Sequence, residues 1–296
     1  MRAGDLPGWV RGYLEFLGLS PEPPSLDFLG RLLRAHLHRI PFENISKLWY
    51  FRRLAELGWS VPPPEIWTES VRRRNFGGTC FTINSNLYRA LLELGYDARL
   101  MRVAGGGHLS VGVRLEGRLH LVDPGLGAPL FAPVDLSRDT SVDWCGRGMR
   151  IYPMRNEPGA YHMDHYSDGK RKLAWTFSTL PEPLSQFGPN IDNSYSPTGY
   201  FMVYMTCSLY SANPDRNLSL ANSAFTVRHA DGRKIVTVLD SVEDIETVLR
   251  EEFRLPGLPV REAIETLAGL GVDVFAAAPA TRPPEQTRAP SVAEGA

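Results

Sequence analysis

Cys80 lies behind a Gly77–Gly78 pair in the stretch RRRNFGGTCFTIN, Arg72 to Asn84. A helical pattern starts at once, with Ile83, Leu87, Leu91 and Leu94 on one stripe and Gly95 as a ready C-cap. Thr79 reads as the N-cap, which places the sulfur in the first turn of that helix. Unpaired backbone N–H groups and the positive end of the helix dipole favour a thiolate there. The two glycines allow a tight entry that a side chain would block. A cysteine serving only as a small core hydrophobe needs none of this, so Cys80 is the candidate nucleophile.

A thiolate nucleophile needs a base, and the base needs an orienting group. The first histidine after Cys80 is His108, which follows Gly105–Gly106–Gly107 and opens an alternating segment, Leu109 to Leu115. If Glu116–Gly117 is a two-residue turn, Leu115 pairs with Arg118 and, further along, Ser110 with Asp123. His108 is then a diagonal neighbour of Asp123 on the same face, at ~7–8 Å between backbones and within reach of the side chains. A three-residue loop would reverse this parity. The alternative is that Asp123 only serves the turn before Pro124–Gly125 and His108 sits in a loop. His120 falls on the opposite face of the hairpin. His162, Asp164 and His165 resemble a metal cluster in sequence, but parity turns His165 away, and two ligands on one face do not complete a site. No metal is expected.

The elements that must position these groups change along the chain. Residues 1–97 read as a helical bundle: Ser25 caps a stripe of Leu29, Leu32, Leu33, His36, Leu37 and Ile40, stopped by Pro41. His36 on that stripe reads as a core histidine. Pro62–Pro63–Pro64 opens a helix that ends in Arg72–Arg74, either a solvated helix end or an anion contact. From 98 to 180 the period falls to two, and short strands with turns predict a small β-barrel. The Pro-, Asn- and Ser-rich segment 181–199 reads as a linker. Residues 200–276 return to strands followed by helices, one opened by a Ser241–Asp244 capping box. Residues 277–296 read as a disordered tail. The class is α+β.

Lys plus Arg number 32 against 33 for Asp plus Glu, a balance that points away from nucleic acid as a partner. Three cysteines, Cys80, Cys145 and Cys207, are too few and too far apart for a disulfide framework. The first residues lack a continuous apolar run, so no signal peptide or membrane span is expected, and the reading is cytoplasmic.

The segments IPFENISKL (40–48), FGGTCFTIN (76–84), HLSVGV (108–113) and LVDPGLG (121–127) stand in the order seen in arylamine N-acetyltransferases, and the chain resembles that family over roughly 10–275. The resemblance implies a three-part fold: a helical bundle, a β-barrel and an α/β lid around a cysteine-protease-like core. It implies a Cys80–His108–Asp123 triad and ping-pong transfer of an acetyl group from acetyl-CoA, as co-substrate, to an arylamine, hydrazine or similar small-molecule amine. Phe42, from the PFEN segment, is then a candidate wall of the acceptor pocket, or simple core. Gly106 and Gly107 are candidates for close backbone approach to substrate. An amide synthase drawing a longer acyl chain from a larger thioester or an acyl carrier protein is the alternative, with Arg72–Arg74 as its docking patch. Water in place of the amine would give a thiol hydrolase, and a vestigial site would leave a binding module.

Three departures accompany the likeness. Phe76 stands where the family has an arginine that pairs with the PFEN glutamate, so Glu43 is expected either to find a partner in Arg72–Arg74 or to be exposed. Thr82–Ile83 replaces an acidic or amide residue and its neighbour. The chain between Gly95 and His108 is shorter than in typical members, which trims a wall of the acceptor pocket.

Overall fold

The computed structural model describes residues 6–212 and 215–276. Its elements, in order, are α1 (Gly8–Leu17), α2 (Leu26–Arg39), β1 (Phe42–Glu43), α3 (Ile45–Phe51), α4 (Leu54–Leu57), α5 (Pro64–Arg74) and α6 (Cys80–Glu93). Eight strands follow: β2 (Asp97–Arg102), β3 (Leu109–Leu115), β4 (Arg118–Val122), β5 (Val134–Asp135), β6 (Thr140–Trp144), β7 (Arg147–Pro153), β8 (Ala160–Ser167) and β9 (Lys170–Ser178). The chain closes with α7 (Gly188–Asn193), β10 (Thr206–Ala212), β11 (Asp215–Ala221), β12 (Ala224–His229), β13 (Lys234–Val238), α8 (Val242–Glu251) and α9 (Val260–Gly269).

Local chemistry sets the helices. Ser25 Oγ accepts the Phe28 N–H at 3.0 Å, and α2 buries Phe28, Leu29, Leu32 and Leu33 in one core with side chains of α1 and α6. His36 lies in that core, its Nδ1 2.8 Å from the Tyr13 hydroxyl. Ser241 Oγ likewise accepts the Asp244 N–H at 3.1 Å to open α8.

The first sheet runs β2-β3-β4-β5, all antiparallel. Leu115 pairs with Arg118 and Val111 with Val122, so Glu116–Gly117 is a two-residue turn. Both turn residues have positive φ, 52° and 75°, the type I′ geometry that matches strand twist. The second sheet runs β6-β7-β8-β9 and meets the first through a Val103–Phe177 bridge. Met101, Val103, Leu121, Met149, Ile151, Met163 and Phe177 form a core shared by both sheets. The barrel expected over 98–180 thus takes the form of two four-stranded sheets folded over one core.

Two expected boundaries are corrected. The 181–199 segment is no linker: a 3-10 turn at Leu184–Phe187 runs into α7, and Phe187 and Ile191 enter the core of the helical part. Two apolar side chains at an i, i+4 spacing suffice for this, despite the Pro and Asn around them. Nor are residues 1–97 purely helical. β1 pairs Phe42 with Ser208 and Glu43 with Cys207, making it the edge of the sheet β1-β10-β11-β12-β13. Ile45, Leu48, Tyr50 and Phe76 pack into the core of that C-terminal part with Met205, Leu218, Ile245 and Leu267. The tail over 277–296 lies outside the described residues. Among those residues no helix is long and apolar enough to cross a membrane.

Candidate active site

The turn before Cys80 is built from glycine and held by a buried glutamate. A Cβ on Gly77 would fall 1.8 Å from the Pro41 carbonyl oxygen, and Gly78 has φ +109° with Thr82 Cβ 2.7 Å from the space a Cβ would take. Glu43 Oε1 accepts the N–H groups of Gly77 at 3.0 Å and Gly78 at 2.8 Å, and the Ser46 hydroxyl at 2.6 Å. Its Oε2 accepts the Ser46 N–H at 2.8 Å.

This corrects the expectation for Glu43, which is fully buried and pairs with main-chain donors rather than with Arg72–Arg74. Burial raises its pKa against these hydrogen bonds, which act to lower it. Phe76 packs its ring on Trp49 and Tyr50, centroids 5.7 and 5.6 Å away. The arginine run is engaged elsewhere. Arg72 reaches Glu15 at 3.5 Å, Arg73 pairs with Glu69, and Arg74 lies 5.1 Å from the centre of the Trp49 ring.

Cys80 is the first residue of α6, after an extended Thr79 whose side chain makes no capping hydrogen bond. The thiol is 3 % exposed, with Sγ 3.9 Å from the Gly107 carbonyl oxygen. His108 Nε2 lies 2.9 Å from Asp123 Oδ2. Cys80 also acts on the imidazole. Burial alone would lower the His108 pKa, but the charges of Asp123 and Cys80 and the hydrogen bond to Asp123 outweigh it and push it up to about 10. This direction favours the protonated ring, the partner a thiolate requires. The structure brings the three predicted residues together as an ordered relay.

Three further side chains complete this centre. Asn84, one helical turn after Cys80, donates from Nδ2 to Asp123 Oδ1 at 2.5 Å and to the Leu109 carbonyl at 2.8 Å. Its Oδ1 accepts the Gly125 N–H at 3.0 Å. The i, i+4 spacing from Cys80 within FGGTCFTIN was the available signal. Trp175 of β9 stacks on His108, centroids 5.7 Å apart and planes 22° apart. Lys47 of α3 is buried, donates to Ser194 Oγ at 2.8 Å and lies 3.2 Å from the centre of the Tyr195 ring. Burial lowers its pKa to about 7, while the charge of Cys80 acts to raise it.

The other predicted residues are more scattered. Phe42 is half-buried, its ring edge-on to Phe201 at 5.6 Å. Gly106 presses on the Asn190 side chain, 2.3 Å from where its Cβ would be, and Asn190 in turn accepts from Arg102 at 2.9 Å. That close approach is filled by protein. Gly107 turns its carbonyl toward Cys80. His165 is buried against Trp175, His162 stacks on Tyr152, and Asp164 faces Arg171 at 3.7 Å. Among the described residues no group of three or more potential ligands converges on a metal position.

A family model described as N-acetyltransferase matches residues 25–259. The chain belongs to the arylamine N-acetyltransferase family. Human arylamine N-acetyltransferase 1 is 24 % identical over 285 residues, covering 83 % of this chain and 93 % of its own. The Mycobacterium tuberculosis arylamine N-acetyltransferase is 27 % identical over 269 residues, covering 82 % and 88 %. The arylamine N-acetyltransferase structure from Salmonella typhimurium superposes with a TM-score of 0.72 at 21 % identity, covering 89 % of this chain and 99 % of that one. A Bacillus cereus member, TM-score 0.67 at 18 % identity and covering 83 % and 98 %, has a Cys-His-Glu catalytic triad. As a member of this family the chain is an acetyltransferase enzyme with the family's α+β fold.

Proposed function

We propose that this protein moves an acetyl group from acetyl-CoA to an arylamine, hydrazine or similar amine through an acetyl-Cys80 intermediate. The observation that carries the reading is the buried Cys80–His108–Asp123 relay at the N-terminus of α6. A related structure, from Mycobacterium marinum, is a complex with CoA; it superposes with a TM-score of 0.69 at 21 % identity, covering 88 % of this chain and 98 % of that one.

The Cys80 thiolate adds to the thioester carbonyl, forming the new S–C bond. The tetrahedral intermediate collapses with loss of the CoA thiolate, which takes the proton from His108. The neutral imidazole then removes a proton from the attacking amine as the amide forms and the Cys80 sulfur leaves. Asp123 holds the ring and balances its charge in both half-reactions. Backbone N–H groups at the start of α6 are suitable donors to the oxyanion. The half-buried Phe42 and Phe201 rings supply an aromatic wall for the acceptor. Arg72 and Arg73 share their charge with exposed glutamates and Arg74 lies over Trp49, which weakens the case for a carrier-protein patch without removing it. Acetyl-CoA is therefore the donor to test first.

Intact-mass measurement after incubation with acetyl-CoA tests the reading, with Cys80→Ala in parallel. One acetyl group gained by the natural protein, absent in the variant and discharged by an added arylamine, is the expected result. Failure to acquire the group while Cys80 remains open to alkylation would overturn the donor assignment.

A further inference from the structure

A second cleft lies away from the triad, between α2 and the β3–β4 hairpin, with the segment around Phe131–Asp135 as its far wall. Its volume is about 730 Å³, room for a molecule of nucleotide size. His120 projects from β4 on the hairpin face opposite His108 and lines this cleft. It is 4 % exposed, and its Nδ1 has no hydrogen-bond partner among the described residues. A buried ring nitrogen left unpaired is costly unless something meets it.

The charges of the cleft are unevenly matched. Arg31 is taken up by Asp27 and Arg118 by Asp135, each at 2.9 Å. Arg34 and Arg138 line the cleft without an ion pair to any described carboxylate, and one acidic side chain, Glu116 at the hairpin tip, remains unpaired beside them. Arg34 lies 5.4 Å from the centre of the Phe131 ring, which is itself packed on His38, Trp144 and Tyr210, so a guanidinium without a carboxylate partner adjoins a fixed aromatic cluster. Gly30 keeps the α2 wall bare, the nearest neighbour of a Cβ there being Pro133 at 3.8 Å.

We propose that this cleft binds a small organic anion, a phosphate or carboxylate carried on a flat ring. The guanidiniums of Arg34 and Arg138 take the anionic group, the ring lies along the bare α2 wall at Gly30, and His120 Nδ1 supplies a directed polar contact. The assignment stands apart from acyl transfer, because none of these side chains touches Cys80, His108 or Asp123.

Titration calorimetry with adenosine 5′-monophosphate and with 2-naphthoate tests the two sources of the anion, with adenosine and 2-naphthamide as uncharged controls. Ring-nitrogen NMR of His120 reports occupancy locally. Saturation by at least one anion is expected, together with movement of the His120 Nδ1 resonance. An Arg34→Ala, Arg138→Ala double variant, altered only at exposed positions, should bind at least about tenfold more weakly while acetylating Cys80 at the natural rate. Three results would overturn the proposal: no saturation by either anion, equal binding of the uncharged controls, or undiminished binding by the double variant.

Discussion

Asn84 Nδ2 lies 2.5 Å from Asp123 Oδ1, so the helix that begins with the nucleophile also holds the carboxylate orienting its base. One rigid element thereby fixes two members of the relay relative to each other. Asn84→Ala should lower kcat/KM by about 10–100-fold with little change in KM. It should also lower stability by about 1–3 kcal/mol, because Gly125 N–H and Asp123 lose buried partners. Steady-state kinetics and thermal unfolding of the same variant check both figures.

Asp123→Asn tests the electrostatics of His108. Its burial disfavours the imidazolium, and without the carboxylate the pKa of His108 should fall from about 10. Acetylation of Cys80 at neutral pH should then drop by about 10²–10⁴-fold. The pH profile of Cys80 alkylation by iodoacetamide should shift with it. An unchanged profile would show that Asp123 does not hold the imidazolium.

Glu43→Gln keeps the shape of the clamp but replaces an acceptor with a donor. If the amide oxygen keeps the Gly77 and Gly78 contacts, the new NH₂ faces the Ser46 N–H. A loss of about 1–3 kcal/mol is expected, read by denaturant unfolding. Slower alkylation of Cys80 in the still-folded variant would show that the clamp also sets the thiol's position.

Lys47 and His108 bend stability with pH in opposite directions. The Lys47 pKa is lowered from 10.5 to about 7 in the fold, so between those values the unfolded chain binds more protons and stability rises with pH. The His108 pKa is raised from 6.5 to about 10, so its contribution is complete below 6.5 and is lost as pH climbs through 10. Lys47→Met removes the first effect. The variant should show a steeper fall in unfolding free energy from neutral pH to about 10 than the natural protein, measured by urea titration at several pH values. Parallel curves for the two proteins would show that Lys47 is not held near neutrality.

Much of the catalytic geometry was legible because it rests on local rules. A two-residue turn at Glu116–Gly117 fixes strand parity, and parity alone put His108 on the face of Asp123. The glycine pair and the stripe after it placed Cys80 at a helix start. What stayed hidden depends on contacts across the chain. Three of the four donors to Glu43 are main-chain N–H groups, which carry no residue signature. A strand of two residues, β1, is too short to show a period. The stacking of Trp175 on His108 joins different sheets, and the burial of Lys47 against Ser194 and Tyr195 spans most of the sequence. α7 was obscured because its Pro and Asn residues signal turns while only Phe187 and Ile191 face inward.

The β1 pairing has a consequence for how the enzyme comes into being. Glu43 grips the turn before Cys80, and Glu43 itself is seated by Cys207 of β10. A chain emerging from the ribosome would expose Cys80 long before that seat exists. The strand that seats the clamp thus comes from the last third of the polypeptide, and a chain truncated before β10 would lack the partner that Glu43 pairs with.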